Sequence, residues 1–596
     1  MIVRVVAFLC LATSTIAFAQ DKDTTHRSFF DRIQQTRISK EIMHSVTATP
    51  SDGKVLNAKS EDIFMPYEGR IIRHITINHI GFDKTIYDTT RTIKNTVTRI
   101  GNALHTNTRP WVIRDNLFIR EGKPVNPYQI ADNERYLRDL DFILDARIKL
   151  IRVGRDSVDV IIVTRDVFSL GASFNPSNAT KYKFKVRDTN IAGWGQGFQV
   201  NGLVQQDRNP KYGGDYIYTK NSVGGTLTNL SVGLSTLNNG SSYGTENEYA
   251  AFIKLDRPLV SPYSRLAGGM EFSTNWAKNV FSTNDSIFLN YKYLVKDFWI
   301  GYNIGVNSSI KNRNRHFIAL RTFQQKFSEK PIQAKEYDPI YNNITYILGQ
   351  FTFFNQNFYK TQYIFGFGRT EDVPYGTNIS VLAGWANQAS LHRPYAGFDF
   401  EKSVVHPSGD FFVYSFRAEG FKYKSQLQDI SLLVSAARNS RLYEHPRVKV
   451  RQSNSINYSA IINPTINQLL MINNDFGISG FKADSIKGVQ RLSVHSETVL
   501  FTNWNLLGFK FAPVVFADIA FVAKEKQNIF YDQPYYGIGA GMRTRNENLI
   551  FGTIELKGTF YPRVEEGSHF KISVRSNLRI KYSGSLVQRP SFIKYN

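Results

Sequence analysis

Between His569 and Tyr582 the chain reads HFKISVRSNLRIKY. Phe570, Ile572, Val574, Leu578, Ile580 and Tyr582 alternate with Lys571, Ser573, Arg575, Asn577, Arg579 and Lys581, and only Ser576 interrupts the apolar row. A period of two makes a strand with one apolar and one charged face. The alternation outlasts the about five or six residues of an ordinary strand and approaches the roughly 9–11 of a tilted membrane-crossing one. If the apolar row meets lipid, the charged row must line a lumen, which predicts a transmembrane antiparallel β-barrel.

The same alternation continues upstream. From about Phe168 to the end, strand patterns are separated by Gly, Asn, Ser and Pro turns, with no helix-length period. In Arg491–Leu500, Arg491, Ser493, His495 and Glu497 share one face, with Leu492, Val494, Thr498 and Leu500 opposite. In the next strand Lys510, Ala512, Val514, Phe516, Asp518 and Ala520 share a face against Phe509, Phe511, Val515, Ile519 and Phe521. Neighbouring strands thus offer two inward carboxylates, Glu497 and Asp518, each of which needs a partner near low dielectric. Tyr536–Arg545 places Gly537, Gly539 and Gly541 inward, leaving room for a loop to approach the wall.

Residues 69–168 follow another rhythm. Arg70–Ile80 predicts a strand, Pro110–Ile119 and Pro127–Leu140 predict helices, and Asn126 caps the second. Ile143–Val153 and Ser157–Val167 form a hairpin across Gly154-Arg155-Asp156, and residues 82–108 are a long insertion after the first strand. Residues 20–68 are polar, with one amphipathic stretch between Ser28 and Ser45 that suits a plug, a membrane-surface helix, a docking segment or a plain linker. Residues 1–19 read as a signal peptide: Arg4, the apolar run Val5–Ala12, then Ala17-Phe18-Ala19 for cleavage. Cys10 is the single cysteine and lies inside that segment, preceded by Phe8-Leu9, which does not suit lipid attachment. The mature chain then has no disulfide, thiolate metal site or cysteine nucleophile.

Composition narrows the function classes. After the signal there is no run of about 18 apolar residues, hence no spanning helix. Aromatics reach 14%, with 44 Phe and 31 Tyr, while mean hydropathy is −0.30. A barrel with a lipid-facing band, aromatic girdles and a polar lumen gives that combination. The net charge of +23 suits nucleic acid in a soluble protein, but in an exported barrel it belongs to a basic lumen and to loops facing anionic lipid. Catalysis is not expected. Ser493, His495 and Glu497 share a face, but residues two apart on a strand stand about 7 Å apart, too far for a nucleophile and its base. No G-x-S-x-G, HExxH or EF-hand pattern occurs, and no cofactor or metal is implied.

The α/β unit resembles a POTRA domain through Phe118-Ile119-Arg120-Glu121-Gly122-Lys123-Pro124-Val125-Asn126, Glu134-Arg135-Tyr136-Leu137-Arg138-Asp139-Leu140 and Val158-Asp159-Val160-Ile161-Ile162-Val163-Thr164-Arg165-Asp166. Arg187-Asp188-Thr189-Asn190-Ile191-Ala192-Gly193-Trp194-Gly195-Gln196-Gly197 resembles the D-x-N-x-x-G-x-G turn near the start of insertase barrels. Residues 69–582 thus resemble the BamA/TamA-type POTRA–barrel family of outer-membrane proteins. In that family a V-R-G-F/Y loop folds into the lumen, where its arginine meets carboxylates on the next two strands. Ile478, Ser479, Gly480 and Phe481 stand in that loop's place, Glu497 and Asp518 in the acidic positions. Ser479 replaces the arginine, leaving Lys482, Lys487 or Arg491 as sources of positive charge.

The resemblance implies a sixteen-strand barrel over 169–596 with one α+β POTRA-like domain on its periplasmic side, in the outer membrane. It implies a factor that inserts or translocates unfolded client polypeptides, in contact with outer-membrane lipid, chaperones or accessory lipoproteins, and without nucleic acid. A seam between Phe168–Phe174 and His569–Tyr582 would receive client strands, the POTRA edge capturing them by strand addition. An exporter dedicated to one partner and a passive anion-preferring channel or receptor are the alternatives.

Overall fold

The computed structural model describes residues 58–80, 106–178 and 180–593, apart from breaks at 241–244, 307–311, 333–339, 467–468, 474–475, 479, 482–484, 507–508, 547–551, 566 and 579–585. The signal peptide with Cys10, the stretch Ser28–Ser45, most of the insertion 82–108, and Ser479 lie outside the described residues.

The N-terminal unit contains β1 (Ile71–Ile80), α1 (Pro110–Arg114), α2 (Pro127–Asp139), β2 (Ile143–Val153) and β3 (Ser157–Asp166). Its sheet order is β1-β3-β2, with β1 parallel and β2 antiparallel to β3. The Asn126 side chain accepts from the N–H groups of Tyr128 and Gln129, and Pro127 occupies the first turn, so α2 starts where expected. α1 ends after Arg114, short of the Ile119 expected from periodicity. Asn116 turns its amide back onto the Val112 carbonyl, and Asn133 of α2 takes the Phe118 N–H, so tertiary bonds replace another helical turn. Ile72, Ile113, Ile130, Leu137, Val160 and Ile162 form the core, which also takes in Leu227 and Val260 from the second part of the chain.

That second part is one antiparallel sheet, strand following strand from Leu170–Asn178 to Phe570–Leu578. Among the described residues the sheet, counting Ala58–Lys59 added at its side, holds twenty-three strands, of which Ala58–Lys59, Tyr443–His445 and Asn505–Leu506 have only two or three residues. Twenty long strands remain, more than the sixteen implied by resemblance. The early hairpins are tight, and five strands fit between Leu170 and Asn239. Consecutive long strands share antiparallel ladders, and the last strand approaches the first at a few Cα positions.

The wall's faces are inverted relative to a water-soluble sheet. In Lys292–Ile304, Leu294, Phe298, Ile300 and Tyr302 are exposed, while Asp297 and Asn303 are buried. In Arg315–Glu329, Ile318 and Leu320 point out, and Arg315 and Arg321 point in. Each such apolar side chain left in water forgoes about 1.5–3 kcal/mol of burial, so an apolar outer surface of this extent requires an apolar surrounding. Among the described residues no helix is long and apolar enough to cross a membrane.

The N-terminal unit is docked on one rim of the wall's inner face through charges on α2. Asp132 pairs with Arg313 at 3.2 Å, Glu134 with Lys360 and with Arg138 at 2.8 Å, and Arg138 with Asp372 at 2.7 Å. Arg135 donates to the Val260 carbonyl, and Ser261 donates to Asp132. Ala58–Lys59 pairs with Tyr359–Lys360, extending the same contact. The turn carrying Asn190 and Gly193 binds from the other side: Asn190 donates to the Thr108 hydroxyl at 2.8 Å, and the Arg109 N–H donates to the Gly193 carbonyl at 2.9 Å. Gly193 has φ +73, and a Cβ there would lie 2.2 Å from the Asn107 carbonyl oxygen, so only glycine permits this approach.

Burial opposes the charge on Glu134, but Lys360 and Arg138 overcome it and hold its carboxyl at about 2 against an ordinary 4.5. A depressed carboxyl pKa stabilises the docked state above about 4.5, and that contribution is lost as pH falls towards 2. Protection factors of the α2 amides, taken against the intrinsic exchange rate at each pH, should therefore fall over that acid window. Glu134→Gln should weaken docking by about 3–5 kcal/mol at neutral pH, as expected for breaking a buried pair, and should flatten the acid dependence. Exchange rates equal to those of the unmodified protein across the window would refute the assignment.

Candidate functional site

Between the strands Val448–Ile462 and Gln490–Thr502 the chain does not leave the wall but folds back over its inner face. Leu470–Met471 and Lys487–Gly488 form a two-stranded ribbon at its base. Beyond it Ile472, Ile478 and Phe481 are buried among Ile486, Ala520, Val522, Tyr535 and Tyr561. The Ile478 N–H donates to Ile472 O at 2.8 Å, and the Phe481 N–H to Ile478 O at 3.2 Å, with Gly480 turning the chain at φ +79. Phe481 meets Tyr535 and Tyr561 edge-on, at centroid distances of 5.6 and 5.1 Å. Such ring pairs contribute about 0.5–1.5 kcal/mol each beyond buried area.

The wall holds this loop chiefly by its carbonyls. Arg491 donates to Met471 O at 2.6 Å and to the Ser459 hydroxyl at 3.1 Å, Ser493 donates to Phe476 O at 2.7 Å, and Lys571 of the last strand donates to Gly480 O at 2.8 Å. The loop is thereby tied to the final strand. A Cβ on Gly537 would stand 3.2 Å from both Ile478 Cγ2 and a Tyr561 ring carbon, so this glycine faces the loop. Gly539 and Gly541 do different work: their missing side chains admit the Phe516 ring and the Lys557 stem, both part of the wall.

The two inward carboxylates are each engaged by wall residues. Glu497 pairs with Arg543 at 2.8 Å and Lys557 at 3.1 Å, and both cations also bind Glu555, at 2.7 and 3.3 Å. Asp518 pairs with His495 at 2.5 Å. The arrangement therefore joins Ile478, Gly480, Phe481, Arg491 and Gly537 in one contact region. Glu497 and Asp518 face the same interior, but with cations from strands rather than from the loop. Arg543, Glu555 and Lys557 were not singled out from sequence, although Thr553, Glu555, Lys557 and Thr559 form a legible polar row in Thr553–Phe560. Tyr535 and Tyr561 were missed because each sits at or beyond a strand end, where the period of two gives no warning.

Chemically, this region is a clamp of carbonyl-directed cations and aromatic walls. Ser493 is bonded to Phe476 O and His495 to Asp518, so the Ser493–His495–Glu497 row is not wired as nucleophile and base. Among the described residues no group of three or more His, Cys, Asp or Glu is placed to hold a metal ion.

No protein-family model and no curated protein matches the sequence. Among solved structures the chain is similar to BamA from Haemophilus ducreyi lacking POTRA domains 1–3, at 11% identity and a TM-score of 0.32, over 85% of this chain and 84% of that one. It is also similar to CdiB from Acinetobacter baumannii, at 9% identity and 0.35, over 96% of each chain. For CdiB from Escherichia coli the values are 11% and 0.39, over 93% of this chain and 99% of that one.

Gly537→Leu should drive Ile478 off the wall, because overpacking a filled contact costs about 1–3 kcal/mol. Limited proteolysis should then cut residues 470–488 about tenfold faster, the equivalent of roughly 1.4 kcal/mol. Cleavage at the unmodified rate would show that Gly537 does not seat the loop.

Proposed function

We propose that the protein is an outer-membrane β-barrel with a periplasmic POTRA-like module, and that it assists client polypeptides in entering or crossing that membrane. The observation that carries this reading is the wall with its infolded loop: an apolar outer face, and an inner face on which the loop is seated and tied through Lys571 to the last strand, which approaches the first. Parting the first and last strands would expose backbone groups to hydrocarbon at several kcal/mol each, and a client strand offers those groups partners. Outward Leu170 and Phe174 on the first strand, and Phe570, Ile572 and Val574 on the last, place apolar side chains on both sides of the junction, as lipid contact requires. The inner face is occupied by the infolded loop rather than left clear, which favours polypeptide handling over a passive anion path. The role needs no catalysis, nucleotide or metal.

The mature chain's freedom from cysteine makes the test direct. One cysteine is placed within 170–174 and one within 570–575, scanning positions until a pair oxidises. The locked barrel should leave specific outer-membrane or secreted clients stranded in the periplasm, and reduction should release them. Depletion proteomics then separates a general assembly factor, with many clients lost, from an exporter with one. A locked barrel that maintains the normal outer-membrane and surface proteome would overturn the proposal.

A further inference from the structure

The chain does not end at its last strand. Residues 586–593, Leu-Val-Gln-Arg-Pro-Ser-Phe-Ile, cross the inner face on the side away from the infolded loop, and the wall receives them with specific groups. The segment enters at the rim where the N-terminal unit docks. There the Leu586 N–H donates to Leu259 O at 2.8 Å, and Leu586 and Val587 are buried with Trp299, Phe317, Phe354 and Phe358. Midway, Asp297 binds Arg589 at 2.7 Å while also holding Arg321 at 2.7 Å, and Arg321 donates to Pro590 O at 2.7 Å. At the far end Phe592 stands among Tyr346, Tyr395 and Phe421, with centroids 4.8, 4.8 and 5.4 Å away. Glu419, which also accepts from Tyr395, takes the Ile593 N–H at 2.7 Å. Eight residues can span at most roughly 26–29 Å, comparable to the hydrocarbon thickness of a membrane.

Three features distinguish this track from incidental packing. It recognises one side chain by charge, one by an aromatic cage, and the backbone by an arginine donor and a carboxylate acceptor. Its recognition groups come from successive parts of the wall between Leu259 and Phe421, so the site belongs to the interior rather than to one turn. Alongside the seated segment lies a cavity of about 410 Å³ whose wall includes Gln350, Thr352, Ser380, Asp399, Glu401 and Arg417. That space and its polar lining leave room for a peptide with bulkier or charged side chains at positions where the tail has small ones.

We propose that the track is a peptide-recognition groove for an extended segment of the form Arg-Pro-x-Phe, occupied here by the chain's own C-terminus, and that client segments of the same chemistry take it when the tail leaves. This rests on the polypeptide-handling reading and names the client feature recognised. Arg589 supplies the charge that Asp297 reads, Pro590 leaves a carbonyl for Arg321, and Phe592 fills the cage. The occupied state blocks the interior, and the vacated state both opens it and exposes the reader groups.

The test uses purified full chain and a variant ending at Ser585, reconstituted in planar bilayers, with a synthetic peptide of residues 586–596 as probe. The truncated barrel should conduct several-fold more than the full chain. Added peptide should block it in a dose-dependent way, and peptides with Arg589→Glu or Phe592→Ala should need at least tenfold higher concentration. Should the truncated chain fail to fold, the full-length double variant Arg589→Glu/Phe592→Ala serves instead. It should raise conductance and expose a cysteine introduced at Gln588 to a membrane-impermeant maleimide. Block that is indifferent to the two peptide substitutions, or a double variant with unchanged conductance and labelling, would overturn the groove. Client stranding by the locked junction is read separately, so either proposal can fail while the other stands.

Discussion

Charge pairing on the inner face is the constraint on which the structure depends. The wall turns its apolar row outward and so commits arginines and carboxylates to an interior where an unpaired charge costs several kcal/mol. The interior answers with networks rather than isolated pairs. Asp297 serves Arg321 and Arg589, Glu497 serves Arg543 and Lys557, and Glu134 serves Arg138 and Lys360. Arg393 and Asp429, both almost wholly buried, form another pair at 2.6 Å. Each network ties together segments distant in sequence, so pairing charges and joining remote parts of the wall are the same event.

The segments that fill the interior are held by a related logic. A cation aimed inward can be satisfied by a carbonyl as well as by a carboxylate, and it then grips backbone without specifying a side chain. Arg491 on Met471, Lys571 on Gly480, Arg135 on Val260 and Arg321 on Pro590 all do this. A loop held by carbonyls tolerates sequence change better than one held by an ion pair. That accounts for how Ile478 and Phe481 are seated although the position between Ile478 and Gly480 is a serine: hydrophobic burial and carbonyl grips do the seating, and the carboxylates find cations elsewhere.

Local pattern made much of this legible. The period of two assigned the faces of Gln490–Thr502 and Phe509–Ala523 residue by residue, because each strand's two environments differ so sharply. Asn126 followed by Pro127 located the start of α2, since a cap is a local bond. What periodicity could not supply was partnership across distance. Nothing near Glu134 in sequence announces Lys360, and nothing near Glu497 announces Lys557. Those pairings follow from sheet register and from space left by Gly541, which admits the Lys557 stem. The count of sixteen rested on the resemblance alone, and local pattern did not correct it because it does not mark tight hairpins such as Leu170–Asp188, where two strands are joined by only two residues.

Two fillers and one docked unit meet the wall at different places, and their positions bear on where it can give. The infolded loop binds the last strand through Lys571, but its other contacts lie on strands before it, so it braces one bank of the junction. The turn of Asn190 and Gly193 fixes the early strands to the docked unit, bracing the opposite bank from the rim. Strain applied to the docked unit would be transmitted to the first strands through Asn190 and to the middle of the wall through Arg138 and Asp372. The last strand, tied instead to the loop, would not follow. Differential anchoring of this kind concentrates displacement between the last strand and the first.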